Sequence, residues 1–168
     1  RDIRYRRAVS VAINRKDVNK VIFFGLARES GNTALPESPL YDPRFTSLWA
    51  QHDPALANRL LDEIGLTRRD DDGVRLLSDG RRLEFTIETA GENTEETDIL
   101  DLLKQDFFDV GIKIYPRSTQ RDVFRRRILA GQTVMSAWAG MDNALVTSDM
   151  EPDALAPTSS AQFQWPRW

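Results

Sequence analysis

A chain of 168 residues, 40% of them hydrophobic, is long enough for one domain with a sizeable core. Its 23 Lys and Arg against 26 Asp and Glu leave a net charge of −3, too mild to point to a polyanion partner, and no apolar run is long enough to span a membrane. Cysteine is absent, which removes disulfides and thiolate chemistry, and a single histidine leaves little for a zinc site or a catalytic triad. The chain begins at Arg1 and is read as a piece of something longer.

Residues 2–13 are predicted helical, with Ile3, Val9, Ala12 and Ile13 able to share a face and Arg4, Arg6 and Arg7 largely solvated. Asn14 can cap a second helix over 15–24, made strongly apolar by Val18, Val21, Ile22 and Phe24 and ended by Gly25. From Leu26 to Trp49 no period appears, and Gly31, Asn32, Pro36, Pro39 and Pro43 mark a loop. So long a loop in a compact domain is often functional or packs on a partner. Asp53 caps a helix over 54–64, with Pro54 at its first position and Leu56, Leu60, Leu61 and Ile64 inward. Asp72-Gly73 and Asp79-Gly80 are turn dipeptides, so residues 74–89 are predicted to form a hairpin feeding a central strand.

Residues 82–89 alternate, with Leu83, Phe85 and Ile87 on one side and Glu84, Thr86 and Glu88 on the other, the mark of a half-buried strand. Asn93 opens a helix over 94–110 with Ile99, Leu102, Leu103, Phe107 and Val110 on its apolar side. Glu92, Glu95 and Glu96 crowd its start, where the helix dipole favours negative charge, and Gly111 stops it. A second strand over 112–115 leads to a helix over 121–130, with Val123, Phe124 and Ile128 inward. A third strand over 133–139 is small or apolar throughout and is read as covered on both faces. Strand, helix, strand, helix, strand with right-handed crossovers makes an α/β fold: a three-layer lobe with a mainly parallel sheet. Such sheets bind ligands beyond the carboxyl ends of their strands. The residues just after Ala139, and those around Ala90 and Pro116, are therefore where function is expected. Beyond Gly140 the pattern fails, and Trp165 and Trp168 read as groups that pack on protein outside this chain.

Several constellations invite chemistry. Arg121, Arg125, Arg126 and Arg127, and Arg4, Arg6 and Arg7, suggest basic patches. Nucleic-acid binding needs clustered charge with aromatic partners; acidic stretches at 70–72 and 92–96 offset these arginines, which read as solvated helix faces. Asp70, Asp71, Asp72 and Gly73 resemble a calcium loop, but the spacing would put Arg68 first and Asp79 last, so a hairpin turn is expected instead. His52 reads as a surface residue beside a helix cap. With no G-x-S-x-G, H-E-x-x-H or P-loop pattern, no catalytic residue, metal or cofactor is expected. Trp138, Asp142 and Asn143 are the candidate ligand-binding group, because an aromatic face beside a carboxylate and an amide can stack on a ligand and fix its polar groups. The alternative is that Trp138 is core and Asp142-Asn143 only a turn.

Four segments carry a family resemblance: RYRRAVSVAINRKDVNKVIFFGLA (4–27), HDPALANRLLDEIGL (52–66), DDDGVRLLSDGRRLEFTIET (70–89) and DVGIKI (109–114). In this order they resemble the carboxy-terminal lobe of family-5 extracellular solute-binding proteins, the periplasmic or lipid-anchored receptors of ABC importers for peptides, nickel and some oligosaccharides. The resemblance implies a periplasmic binding protein-like fold of type II and no catalysis. It implies that residues 1–139 are one α/β lobe and residues 140–168 a cleft loop and tail returning toward an absent amino-terminal lobe. A membrane ABC permease would be the partner and a peptide or similar small solute the ligand. In the peptide binders an aspartate shortly after the third strand meets the ligand's α-ammonium, and Asp142 is the approximate match. Those relatives continue with an acidic-proline run close behind, whereas Glu151-Pro152 comes later here. An oligosaccharide receptor of the same family is therefore the first alternative and an α/β enzyme domain the second.

Overall fold

Strand β1 (Glu84–Thr89) is the middle of a three-stranded parallel sheet, with β2 (Lys113–Ser118) on one side and β3 (Met135–Ser136) on the other, in a computed structural model that describes residues 2–91 and 94–138. Alternation along β1 sends Leu83 and Ile87 into the main core and Glu88 and Ala90 to the opposite face. The main core is closed by three helices: α1 (Ile3–Ala12) packs along α4 (Pro54–Glu63), and α5 (Glu95–Asp109) lies against β2. Ala8, Val11, Leu61, Phe107, Ile112 and Ile114 are its interior. On the other face α6 (Arg121–Leu129) seats Phe124 and Ile128 against Ala90. Helices, sheet and helix make three layers, as the element order predicts.

Caps follow the sequence closely. Asp2, Asn14 and Asp53 each accept a backbone N–H at the start of α1, of α2 (Arg15–Ile22) and of α4. Several expectations differ, beginning with β2, which runs on to Ser118 where the sequence predicts its strand to end at 115. Helix α2 stops at Ile22, and Val21 and Phe24 lie exposed, because Phe24 and Gly25 both adopt left-handed backbone and turn the chain away from the core. The 26–49 stretch contains a one-turn helix, α3 (Pro43–Ser47), nucleated by Asp42 as cap and Pro43 at the first position. The hairpin before β1 is built from isolated antiparallel bridges, Arg69 to Arg75 and Leu76 to Arg82, with Asp70 holding the first turn through the N–H groups of Asp72 and Val74. Strand β3 is two residues long and half-buried. Its described pairing is with β1 alone and Val134 is 82% exposed, so it is not a strand covered on both faces.

Arg75 is the most consequential side chain in the lobe. It is 2% exposed, and its guanidinium spends five donations on fixed acceptors. Nε donates to the Val110 carbonyl at 2.8 Å, Nη1 to Asp62 at 2.6 Å and to the Leu66 carbonyl, and Nη2 to Asn58 Oδ1 at 2.7 Å and the Asn58 carbonyl at 3.3 Å. Its own N–H donates to the Gly111 carbonyl at 2.8 Å, and its carbonyl accepts from Leu83 N at 2.7 Å. The end of α4, the end of α5 and the entry to β1 thus meet on one residue. Gly111 has φ +80, and a Cβ there would lie 2.7 Å from Arg75 Cγ, so glycine both stops α5 and leaves room for the arginine.

A second buried charge fixes α6. Glu88 is 2% exposed on the α6 face of β1. It accepts from Arg127 at 2.9 Å and from Arg117 of β2 at 2.7 Å. Strand alternation alone predicts a solvated carboxylate there; α6 covers it and supplies its partner. The Arg127 guanidinium, and after it Arg117, hold the Glu88 carboxyl below its ordinary value of 4.5 against the cost of burial.

Arg75→Ala should lower unfolding free energy by about 3 kcal/mol in denaturant melts, since it strands buried carbonyls. Arg75→Lys should recover little of this, because three donors from one ammonium cannot span the same acceptors. Because the folded pKa of Glu88 is depressed, its contribution is complete above the unfolded carboxyl range near 4.5 and is lost as pH falls through the folded value. Glu88→Gln should cost about 2 kcal/mol at pH 7, less than a fully buried pair because Arg117 is half exposed. That cost should shrink toward zero in melts taken at progressively lower pH.

Candidate functional site

A hollow of about 580 Å³ opens at the carboxyl ends of β1 and β2, lined by Ala90, Gly91, Ser118, Thr119, Gln120, Arg121 and Asp122. This is where an open parallel sheet places a ligand, and it includes Ala90 and the residues following Pro116. Ser118, which lines the hollow, is anchored behind: Ser118 Oγ lies 3.2 Å from Thr89 Oγ1 and 3.1 Å from Thr97 Oγ1, tying both strands to the first turn of α5. Thr119 N donates to the Thr89 carbonyl at 3.0 Å and continues the pairing past the last strand residue. Gly91 has φ +65, and a Cβ on it would come within 3.1 Å of Ser118 Cβ and 3.2 Å of the Thr119 carbonyl oxygen; only glycine lets the two strand exits approach this closely. The far wall is the first turn of α6, which presents the opposite charges Arg121 and Asp122.

Trp138 follows β3 and borders this wall. Its ring stacks on buried Phe124 with centroids 5.5 Å apart and planes 18° apart, and the Arg121 guanidinium lies 5.4 Å from its centre. Arg121 also lines the hollow, so the two features share a residue. At 37% exposed, Trp138 is packed on α6 and partly open to solvent. It follows an edge strand of the described sheet, not a central one. Asp142 and Asn143 lie outside the described residues, as do Glu92, Asn93 and the tail from Ala139 to Trp168. Of the three expected site residues, only Trp138 is placed.

The remaining constellations resolve into structural roles. Asp70 and Asp72 pair with Arg82, each at 2.9 Å. Among the described residues no group of three His, Asp or Glu side chains could hold a metal ion. His52 is exposed before α4 and acts electrostatically on Asp106 in the last turn of α5, at the end of the lobe away from the hollow. Arg7 lies over Trp49 at 4.5 Å, and Arg127 belongs to Glu88. Sequence reasoning missed the Ser118, Thr119, Gln120, Arg121 and Asp122 run as a site. Its signal was present: five consecutive polar residues at the junction of a strand and an amphipathic helix.

Comparison with known proteins bears on the family and the fold. The family model for bacterial extracellular solute-binding proteins, family 5 Middle, matches residues 1–159. A probable ABC transporter-binding protein of Deinococcus radiodurans is 26% identical over 113 residues, covering 67% of this chain and 19% of that protein. A solved oligopeptide-binding protein OppA superposes with a TM-score of 0.90 at 35% identity, covering 99% of this chain and 26% of that one. NikA from Brucella suis, solved in complex with Fe(III)-EDTA, superposes with a TM-score of 0.72 at 22% identity, covering 92% of this chain and 29% of that one. The fold is that of type II periplasmic binding proteins, and the chain spans between a fifth and a third of the length of these relatives. The chain belongs to the bacterial extracellular solute-binding proteins of family 5.

Proposed function

We propose that this chain is most of one lobe of an extracytoplasmic receptor that captures a peptide or similar small solute and presents it to an ABC permease. The observation that carries this reading is the polar hollow at the carboxyl ends of β1 and β2, bordered by Trp138, in a family-5 chain. The oligopeptide-binding relative supports a peptide as solute. No described helix is long and apolar enough to cross a membrane.

In this reading one lobe forms one wall. Ser118 and Thr119 offer hydroxyl and backbone groups to the polar parts of a solute, Arg121 and Asp122 offer both charges, and Trp138 offers an apolar edge. Asp142 and Asn143, outside the described residues, are the further groups proposed for this wall. A carboxylate at Asp142 would make a charge-assisted hydrogen bond to a peptide α-ammonium. An oligosaccharide is the second reading, because hydroxyl groups and tryptophan edges also suit sugars. No reaction is assigned to the site.

The test uses the full-length receptor and a pool of short peptides, free or N-acetylated, with retained species identified by mass spectrometry. Free peptides should be retained and acetylated ones lost; retention of malto-oligosaccharides instead would move the assignment to sugars. Asp142→Ala should weaken binding by about 1.5–3 kcal/mol in calorimetry with a retained peptide, at unchanged melting temperature. Unchanged affinity with lowered stability would make Asp142 structural. The isolated 168-residue chain should bind the same peptide far more weakly than the full receptor, since it supplies only part of the contact area.

A further inference from the structure

The longest run of exposed apolar side chains in the described lobe follows α2. Val21, Phe24, Leu26, Leu40, Phe45 and Leu48 are each more than half exposed, with Phe24 at 83% and Leu26 at 89%. Scattered single exposures are ordinary; two nearly bare large side chains two residues apart on a rigid turn are not. The turn is held firmly. Gly25 N donates to the Asn19 carbonyl at 2.9 Å and Leu26 N to the Phe23 carbonyl at 2.8 Å. The Asn19 side chain accepts from Ala27 N at 3.0 Å and donates to the Ala27 carbonyl at 2.9 Å. Phe24 sits at φ +53, a left-handed conformation that a residue with a Cβ adopts only when its surroundings impose it. Here the strained backbone aims the ring outward.

The position of this knuckle follows from the topology. Helix α5 leaves the carboxyl end of β1 and reaches the amino end of β2. Asn14 N, at the start of α2, donates at 2.7 Å to Asp106 in the last turn of α5. A small apolar hollow runs along α2 from Ile13 and Arg15 to Phe23 and residues 27–30, and is shared with Ile99, in the first half of α5, and Leu103, near its middle. Helix α2 therefore runs toward the carboxyl ends of the strands, and the 24–26 knuckle stands at the same end of the lobe as the solute hollow.

We propose that this knuckle, Phe24 and Leu26 with Val21 beside them, is the surface on which the opposing lobe of the same polypeptide rests. The inference rests on the two-lobe reading above. The occupant is argued from place and from length. The knuckle faces the cleft end, and the similar oligopeptide-binding protein, of which this chain covers 26%, has roughly three quarters of its length beyond the matched region. Pinned backbone and bare rings suit a fixed bearing surface for a moving lobe, where order is prepaid and closure needs no refolding.

Hydroxyl-radical footprinting of the full-length receptor, with solute binding measured on the same sample, tests this. In this lobe Phe24 is 83% exposed and Phe108 on α5 is 40% exposed. If the opposing lobe covers the knuckle, Phe24 and Leu26 should be oxidised more slowly than Phe108, reversing that order. The double variant Phe24→Ser, Leu26→Ser should then lower the melting temperature of the full receptor. Oxidation of Phe24 faster than Phe108 overturns the proposal. If that comes with lost transport at intact solute affinity and melting temperature, the surface belongs to the permease; if with loss of a dimer in sedimentation, to a second copy. A receptor that binds no solute yet covers Phe24 would overturn the functional reading and leave this one standing.

Discussion

The lobe depends on burying the guanidinium of Arg75 with every donor satisfied. A charge in a core is costly unless geometry repays it. Here repayment requires that the ends of α4 and α5 arrive together, because the acceptors are the Asn58, Leu66 and Val110 carbonyls and the side chains of Asn58 and Asp62. Helix ends carry unpaired carbonyls in any case, so the arginine meets a need that those helices already have. The same residue hands the chain to β1 through Leu83, whose carbonyl accepts from Lys113 N and starts the β1 to β2 ladder. The register of the parallel pair, Glu84 beside Lys113 through Thr89 beside Ser118, is thereby set from the end opposite the hollow.

That register decides what stands at the carboxyl ends. With Thr89 opposite Ser118, their hydroxyls meet, Gly91 fits against Ser118, and the chain enters α6 at Gln120 with its first turn facing the hollow. Glu88, one residue earlier and on the other face, holds α6 through Arg127 while Phe124 and Ile128 fill the space beneath. The polar site is thus carried on rigid elements, and its walls are fixed by a buried ion pair and a small apolar cluster.

The two ends of the lobe are chemically unlike. The end holding Arg75 is closed and internally satisfied. The strand-exit end carries an open polar hollow, a half-open Trp138 and the bare Phe24 and Leu26. Unsatisfied surface gathered at one end is what a wall completed by another body requires.

Much of this was legible in the sequence because it is local. Period-two alternation gave β1 its faces, Asp53-Pro54 and Asn14 gave helix starts, and Gly111 marked the end of α5; each depends on neighbours a few residues away. The family segments set the fold, and the parallel-sheet rule pointed to Ala90 and the region of Pro116. What the sequence could not fix was set by contacts between distant residues. Glu88 reads as solvated until Arg127, 39 residues on, covers it, and nothing local to the hairpin marks Arg75 as a residue that Asn58 and Val110 enclose. Val21 and Phe24 read as apolar, which says only that a side chain prefers to leave water; which surface receives it is decided by tertiary packing, and among the described residues neither is covered.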